Sequence, residues 1–237
     1  MQAQPILVSV GDLAVRRLGW TDARGPVTAL RHACFAGGAV IEDHLDEEST
    51  HLVVGDSAGC AALGACRMYV VETVDRALRA ASAAAYCVET LVHRHPGRRL
   101  AELSRFCLAP AARGRPALEI LWRALWRMTR DEGIDAIFGC ASLAGADFVK
   151  HAAALGHLCD QARNDSRWTV AARDPAAAHR PDPVKTRPRL PPLLRGYAEL
   201  GATFSPEATL DPAFGTADVF VVQPVEALSR RYVAFFS

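Results

Sequence analysis

The sequence predicts an α/β protein, a mixed twisted sheet flanked by helices, on three observations. Leu100 to Leu108 (LAELSRFCL) reads as a strand and residues 111–115 as a loop. Leu118, Leu121, Trp122, Leu125 and Trp126 then repeat at i, i+3, i+4, i+7 and i+8, the spacing of an amphipathic helix. Gly133 closes that helix, and Ile134 to Ser142 (IDAIFGCAS) follows as a buried strand, which completes a βαβ unit. The second observation is a hairpin, with His51 to Val54 and Ala61 to Val71 on either side of the turn residues Asp56-Ser-Ala-Gly59. The third is composition: 237 residues, 50% hydrophobic and 22% charged, supply one sizeable core or at most two small ones. A disordered or collagen-like chain does not have this composition.

The remaining elements follow in chain order. Thr21-Asp22 opens a helix carrying Val27, Leu30, Arg31, Cys34 and Phe35 at helical spacing, with a stop at Gly37-Gly38. Residues 75–92 are rich in alanine and free of glycine and proline, which predicts one helix. Residues 146–156 predict another, ending at Gly156. From Asp174 to Pro192 six prolines fall among arginines and aspartates, so this stretch is an extended connection. Leu193 to Leu200 forms a short helix and Val219 to Pro224 (VFVVQP) a late strand. The expected organisation is a single domain over residues 1–237, with the Pro-rich segment packed over it.

The net charge of +1 argues against a dedicated nucleic-acid binder, which carries a strong basic excess. Lys150 and Lys185 are the only lysines, so the cations are nearly all arginines. Seven cysteines form no CxxC pair and mostly sit in apolar runs as small hydrophobes, which fits a reducing cytoplasm. The first residues lack a signal-peptide pattern, and no run approaches the roughly 18 apolar residues of a membrane span. The expectation is a cytoplasmic chain, with peripheral contact at the cytoplasmic membrane allowed. No His/Cys spacing suggests zinc, so no metal is expected. His93-Arg-His95 reads as a solvated loop, and no Gly-x-Ser-x-Gly elbow supports covalent catalysis.

One run is more specific. Glu102-Leu-Ser-Arg105-Phe-Cys-Leu, Pro110, Arg113-Gly114, the amphipathic helix and Phe138-Gly-Cys-Ala-Ser142 together resemble the bacterial ornithine N-acyltransferases. That family is a branch of the GNAT superfamily and makes the lyso form of ornithine lipid. Pro191-Pro-Leu-Leu-Arg-Gly-Tyr-Ala-Glu-Leu-Gly-Ala202, Asp211-Pro-Ala-Phe214 and Asp218-Val-Phe extend the resemblance, as do Leu30-Arg31 with Phe35 and Gly64-Ala-Cys-Arg67. It spans roughly residues 13 to 236. The acyl-homoserine-lactone synthases share part of the pattern, in Glu102 to Phe106 and in Arg31, Phe35, Asp43, Asp46 and Arg67, but their usual tryptophan is missing. The chain departs from the ornithine branch at Thr50-His51, at Ala109-Pro110 and in the phosphate loop, where Pro116 supplies no N–H.

The resemblance implies a GNAT-like fold and direct transfer of a 3-hydroxyacyl group from acyl carrier protein to the α-amine of ornithine. No cofactor is permanently bound; the phosphopantetheine arm of the carrier protein is the donor. The attacking amine must be neutral, so a base is required. Glu102, a carboxylate within an apolar strand, is the candidate base, against the alternative of a solvated edge-strand charge. Arg105 is the candidate partner of that base or of the oxyanion, against a structural ion pair. In a regular strand three residues put the two on opposite faces; the resemblance implies a bulge at this strand, which would let both face the cleft. Arg113, Gly114 and Arg115 precede a helix N-terminus that suits a phosphate. Arg31, Phe35, Asp43, Asp46, Arg67, Ser142 and Asp147 are the candidate substrate-binding residues. Ornithine's second amine is cationic, so its site needs a carboxylate distinct from the base; Asp43, Asp46 and Asp147 are the candidates. The alternatives are a lactone synthase using S-adenosylmethionine, a coenzyme A-dependent acetyltransferase, and a GNAT-fold binding protein without activity.

Overall fold

A computed structural model describes residues 6–35, 41–56, 61–112, 116–161, 166–175, 177–184 and 188–228. These residues form two compact units, 6–70 with 103–133 and 71–102 with 134–228.

The first unit begins with a hairpin that the sequence reading did not assign. Strands β1 (Ile6–Val10) and β2 (Leu13–Leu18) pair antiparallel around Gly11, whose φ of 56° suits a residue without a Cβ. Helix α1 (Trp20–Cys34) follows; Gly19 occupies its N-cap without a side-chain hydrogen bond, and Pro26 lies inside it. Strand β3 (Thr50–Asp56) pairs antiparallel with β2 and with β4 (Ala62–Val71), which is the predicted hairpin. The interior of β3 is buried at consecutive residues, which requires cover on both faces. Helix α1 packs Ala23, Val27 and Leu30 against Leu18, Val53, Ala65 and Cys107, and the helix Ala117–Asp131 also contacts β1, β2 and β3.

Strand β5 (Leu100–Leu108) has the predicted bounds, and Leu103–Leu108 belong to the first unit. Arg105 has φ of 55°, the only positive value at a non-glycine among the described residues, and it breaks the alternation of this strand. Near the strand's end, Ala109 N–H donates to Leu63 O, and a Cβ on Gly64 would meet Leu108 Cδ2 at 2.5 Å.

In the second unit the single helix expected at 75–92 is three pieces: α2 (Val74–Arg79), one 3-10 turn (Ala81–Ala84) and α3 (Glu89–Arg94). Alanine propensity is worth a few tenths of a kcal/mol per residue and yields to tertiary bonds here. Ala80 is extended, and the amides of Ala81 and Ser82 point at a buried carboxylate instead of continuing α2. The helix α4 (Ala117–Asp131), of the first unit, is the predicted amphipathic one. Its most buried residues are Ala117, Ile120, Leu121, Ala124 and Leu125, and Trp122 is only half-buried.

The sheet of the second unit runs β5, β6 (Ala136–Ala144), β8 (Thr216–Pro224), β7 (Thr203–Asp211). The β5–β6 pairing is parallel and the other two antiparallel, so the sheet is mixed, as predicted. Helix α5 (Phe148–Gln161) runs past its expected end at Gly156, and α6 (Pro192–Leu200) stops at Gly201 in the left-handed conformation. Among the described residues of 174–191 there is no helix or multi-residue strand. The segment is pinned by a bridge between His179 and Ala208, by Arg180 on Glu207, and by the Asp182 carbonyl lying over Gly156.

Candidate active site

In the first unit, four of the predicted substrate-binding residues join Arg105 in one ion-pair network. Asp46 is fully buried and takes both terminal nitrogens of Arg31 at 2.9 Å, a bidentate pair. Arg67 Nη1 adds a bond to Asp46 Oδ1 at 3.0 Å, and the Asp43 N–H donates to Oδ2 at 3.0 Å. Asp43 accepts from Arg67 Nη1 at 2.5 Å, from Arg105 Nη2 at 2.8 Å and from the Leu45 N–H at 2.9 Å. Arg67, itself fully buried, reaches Ser104 Oγ through Nε at 3.0 Å. The positive φ of Arg105 is therefore used: it coincides with a guanidinium on Asp43.

Burial alone would raise both aspartates. The guanidiniums of Arg67 and Arg105 on Asp43, and Arg31 with the Asp43 amide on Asp46, outweigh it and hold both carboxyls below the ordinary range. His51 is fully buried against the Trp20 ring, with Nε2 2.9 Å from Asp46 O; burial pushes its pKa down, so it is neutral at pH 7. Each carboxylate oxygen of Asp43 and Asp46 already has a donor, and three guanidiniums face two carboxylates. This arrangement does not present a vacant carboxylate to a substrate ammonium. Phe35 packs on the core cluster of α1.

In the second unit Glu102 is neither solvated nor loosely held. It is 1% exposed; Oε1 accepts from the Ser82 N–H at 2.7 Å and Ser82 Oγ at 2.5 Å, and Oε2 from the Ala81 N–H at 2.8 Å. A carboxylate has about four lone-pair sites, so one, on Oε2, is left for a proton.

Strand β6 leads away from Glu102 on the same face. Glu102 pairs with Phe138, which is buried; Cys140 is half-buried and Ser142 exposed. Burial pushes the Cys140 thiol up, and Asp218, Glu102 and Asp211 push it further. Ser142 lies opposite Asp218 in the β6–β8 register and donates a hydrogen bond to its carboxyl. Asp218 was not among the predicted site residues, although a carboxylate beside the apolar run VFVV is the same signal that singled out Glu102. Asp147 is a helix cap: its Oδ1 accepts from the N–H groups of Val149 and Lys150 at the start of α5. Arg113, Gly114 and Arg115 lie outside the described residues. Among the described residues no group of three or more His, Cys, Asp or Glu could hold a metal ion, and no helix is long and apolar enough to cross a membrane.

Residues 36–123 match the model of the acetyltransferase (GNAT) domain. An N-acyl amino acid synthase from uncultured soil microbes has the same fold, with a TM-score of 0.52 over 90% of this chain and 91% of that one at 14% identity. The loading GNAT-like domain of CurA from Lyngbya majuscula gives 0.53 over 91% and 99% at 12% identity. The chain is thus an acyltransferase of GNAT fold. It is 35% identical over 210 residues to the L-ornithine N(alpha)-acyltransferase of Brucella abortus, covering 82% of this chain and 73% of the relative. The enzyme of the same name from Rhizobium meliloti is 35% identical over 206 residues, covering 82% and 70%. The chain belongs to the L-ornithine N(alpha)-acyltransferase family.

Proposed function

We propose that this chain transfers a 3-hydroxy fatty acyl group from acyl carrier protein to the α-amine of L-ornithine, forming lyso-ornithine lipid. The observation that carries the reading is the edge of β6. Its parallel pairing with β5 covers only Leu100↔Ala136 to Glu102↔Phe138, yet β6 runs on to Ala144, paired with β8 throughout. Backbone groups of residues 139–144 on the β5 side therefore have no strand partner among the described residues, and buried peptide groups need one. The phosphopantetheine arm, extended and carrying amides, can supply it, which brings a thioester alongside Glu102. The relatives' names supply the acceptor.

The neutral α-amine attacks the thioester carbon, a C–N bond forms, and the C–S bond breaks as the tetrahedral intermediate collapses. The amine's proton passes to the remaining lone pair of Glu102 Oε2, directly or through one water, and then to the departing pantetheine thiolate. The product is amphiphilic, so peripheral contact with the cytoplasmic membrane belongs to the same proposal. Mass spectrometry of lipids from cells expressing the chain tests it. A new lyso-ornithine lipid is the expected result; diffusible acyl-homoserine lactones, or no acylated amine at all, would overturn it.

A further inference from the structure

The proposed acceptor carries a side-chain ammonium as well as the amine that reacts. Burying a cation without a counter-charge costs several kcal/mol, so its binding site should offer an uncompensated carboxylate. Asp43 and Asp46 are taken by arginines, and Asp147 faces the partial positive charge of the α5 N-terminus, whose Val149 and Lys150 amides it caps. Asp218 is different. It is 7% exposed, on β8, and its side-chain partners are hydroxyls: Thr216 Oγ1 donates to Oδ1 at 2.8 Å, and Ser142 donates from β6. No Lys, Arg or His of the described residues pairs with it. Burial holds its carboxyl above the ordinary range, hydroxyl bonds offset that in part, and Asp211 adds to it.

The position is also reachable. Along this face burial falls from Phe138 through Cys140 to Ser142, so the residue whose hydroxyl touches Asp218 is itself exposed. Thr209 and Thr216 flank Asp218 on the neighbouring strand positions, and Asp211 pairs with Thr216. The strip is polar and anionic, and its inner end leads toward Glu102 on the same sheet face.

Resting on the function proposed above, we infer that Asp218, with the hydroxyls of Ser142 and Thr216, binds the side-chain ammonium of the acceptor and sets the preference for a cationic amino acid. The bound ammonium supplies the counter-charge that Asp218 lacks, while the hydroxyls keep the carboxylate oriented. Sequence reasoning required such a carboxylate and placed it elsewhere. The structure assigns it to β8.

The test compares L-ornithine with L-norvaline, which lacks the ammonium, in the parent and in Asp218→Asn, together with calorimetric titration of ornithine without donor. The expected result is a parent preference for ornithine in kcat/KM that falls on the order of 10- to 100-fold in the variant, with ornithine binding weakened in parallel. Asp218→Ser, which keeps a hydroxyl partner without charge, is read the same way where the asparagine variant does not fold. Equal use of both amino acids by the parent, or a preference that survives both substitutions, overturns the subsite and leaves ornithine acylation standing. Ornithine that binds in an Asp218-dependent way but is never acylated upholds the subsite and removes the function. Neither binding nor acylation removes both.

Discussion

At the scale of single residues, the protein shows two ways of holding a buried or half-buried carboxylate. Asp43 and Asp46 are matched by arginines, whereas Glu102 is matched by the amides and hydroxyl of one 3-10 turn. If Glu102 is the base, Glu102→Gln lowers turnover by about 10² to 10⁴. The amide also faces three donors with one acceptor oxygen, so stability falls by about 1–3 kcal/mol. Steady-state rates beside urea unfolding check both, and a folded variant with near-parent turnover removes Glu102 from the chemistry. The Asp46–His51 neighbourhood has a pH signature. His51 has a depressed folded pKa, so below about 6.5 the unfolded chain binds a proton that the folded chain does not. The fold therefore loses stability as pH falls from about 6.5, by at most about 1.4 kcal/mol per pH unit. The depressed aspartates add a second loss below about 4. Urea midpoints between pH 7 and pH 5 should drop in the parent and stay flat in His51→Gln; a flat parent profile would mean that His51 is not held neutral. The sequence exposed Glu102 because a charge inside LAELSRFCL is conspicuous, but Asp218 sits in a comparably apolar strand, and Glu207, in the more polar TFSPEATLD, is just as buried. What separates the three is the set of donors around each, and apart from Thr216, two residues from Asp218, those come from distant positions: Ser82, Ser142, and Arg180 with Ala172.

At the scale of elements, periodicity worked where local packing and sequence preference agree, as in α4 and β5, and failed where a tertiary contact overrode preference. The 75–92 segment is one case. Helix α5 is the other: Gly156 looked like a stop, but it is an interior position kept bare because the Asp182 carbonyl occupies the place of a side chain. That contact is invisible to any local rule, since Asp182 lies in the proline-rich segment whose own sequence specifies no regular element. It yields a prediction opposite to propensity. Gly→Ala inside a helix ordinarily stabilises by about 1 kcal/mol. Here the added methyl must displace a backbone carbonyl, and overpacking of this kind costs about 1–3 kcal/mol. Gly156→Ala should therefore lower the urea midpoint, and proteolysis should cut the 174–184 segment faster. A variant more stable than the parent would show that the segment yields freely. Arg105 is unlike these two: the resemblance implied a bulge in β5, and the positive φ is where the strand departs from alternation.

At the scale of the whole molecule, charge is balanced to a net of +1, and many described arginines are spent on internal partners. Arg17 pairs with Glu132, Arg98 with Asp135 and Glu226, Arg99 with Glu72, Arg173 with Glu89 and Arg180 with Glu207, beside the network of Arg31, Arg67 and Arg105. A molecule so balanced exerts little long-range attraction on an acidic partner, because screening at physiological salt acts within about 8 Å. If the donor is an acidic carrier protein bearing a phosphopantetheine arm, attraction must come from a local cluster of cations. Arg113 and Arg115, placed by the sequence before the N-terminus of α4, are the proposed ones; Pro116 at that N-cap offers no N–H, which leaves more of the phosphate's charge to side chains. Alanine at both positions should raise the donor KM several-fold with little change in kcat. In the parent, added salt should raise the KM for the carrier-loaded thioester more steeply than in the double variant, since the charges responsible are gone from the latter. The ornithine KM should be insensitive to the double substitution, because the acceptor's charge is met elsewhere. Free acyl-CoA serving as well as the carrier-loaded thioester, at equal kcat/KM and with equal salt dependence, would sink the carrier-protein assignment while leaving the acyl transfer and the acceptor subsite to be judged on their own tests.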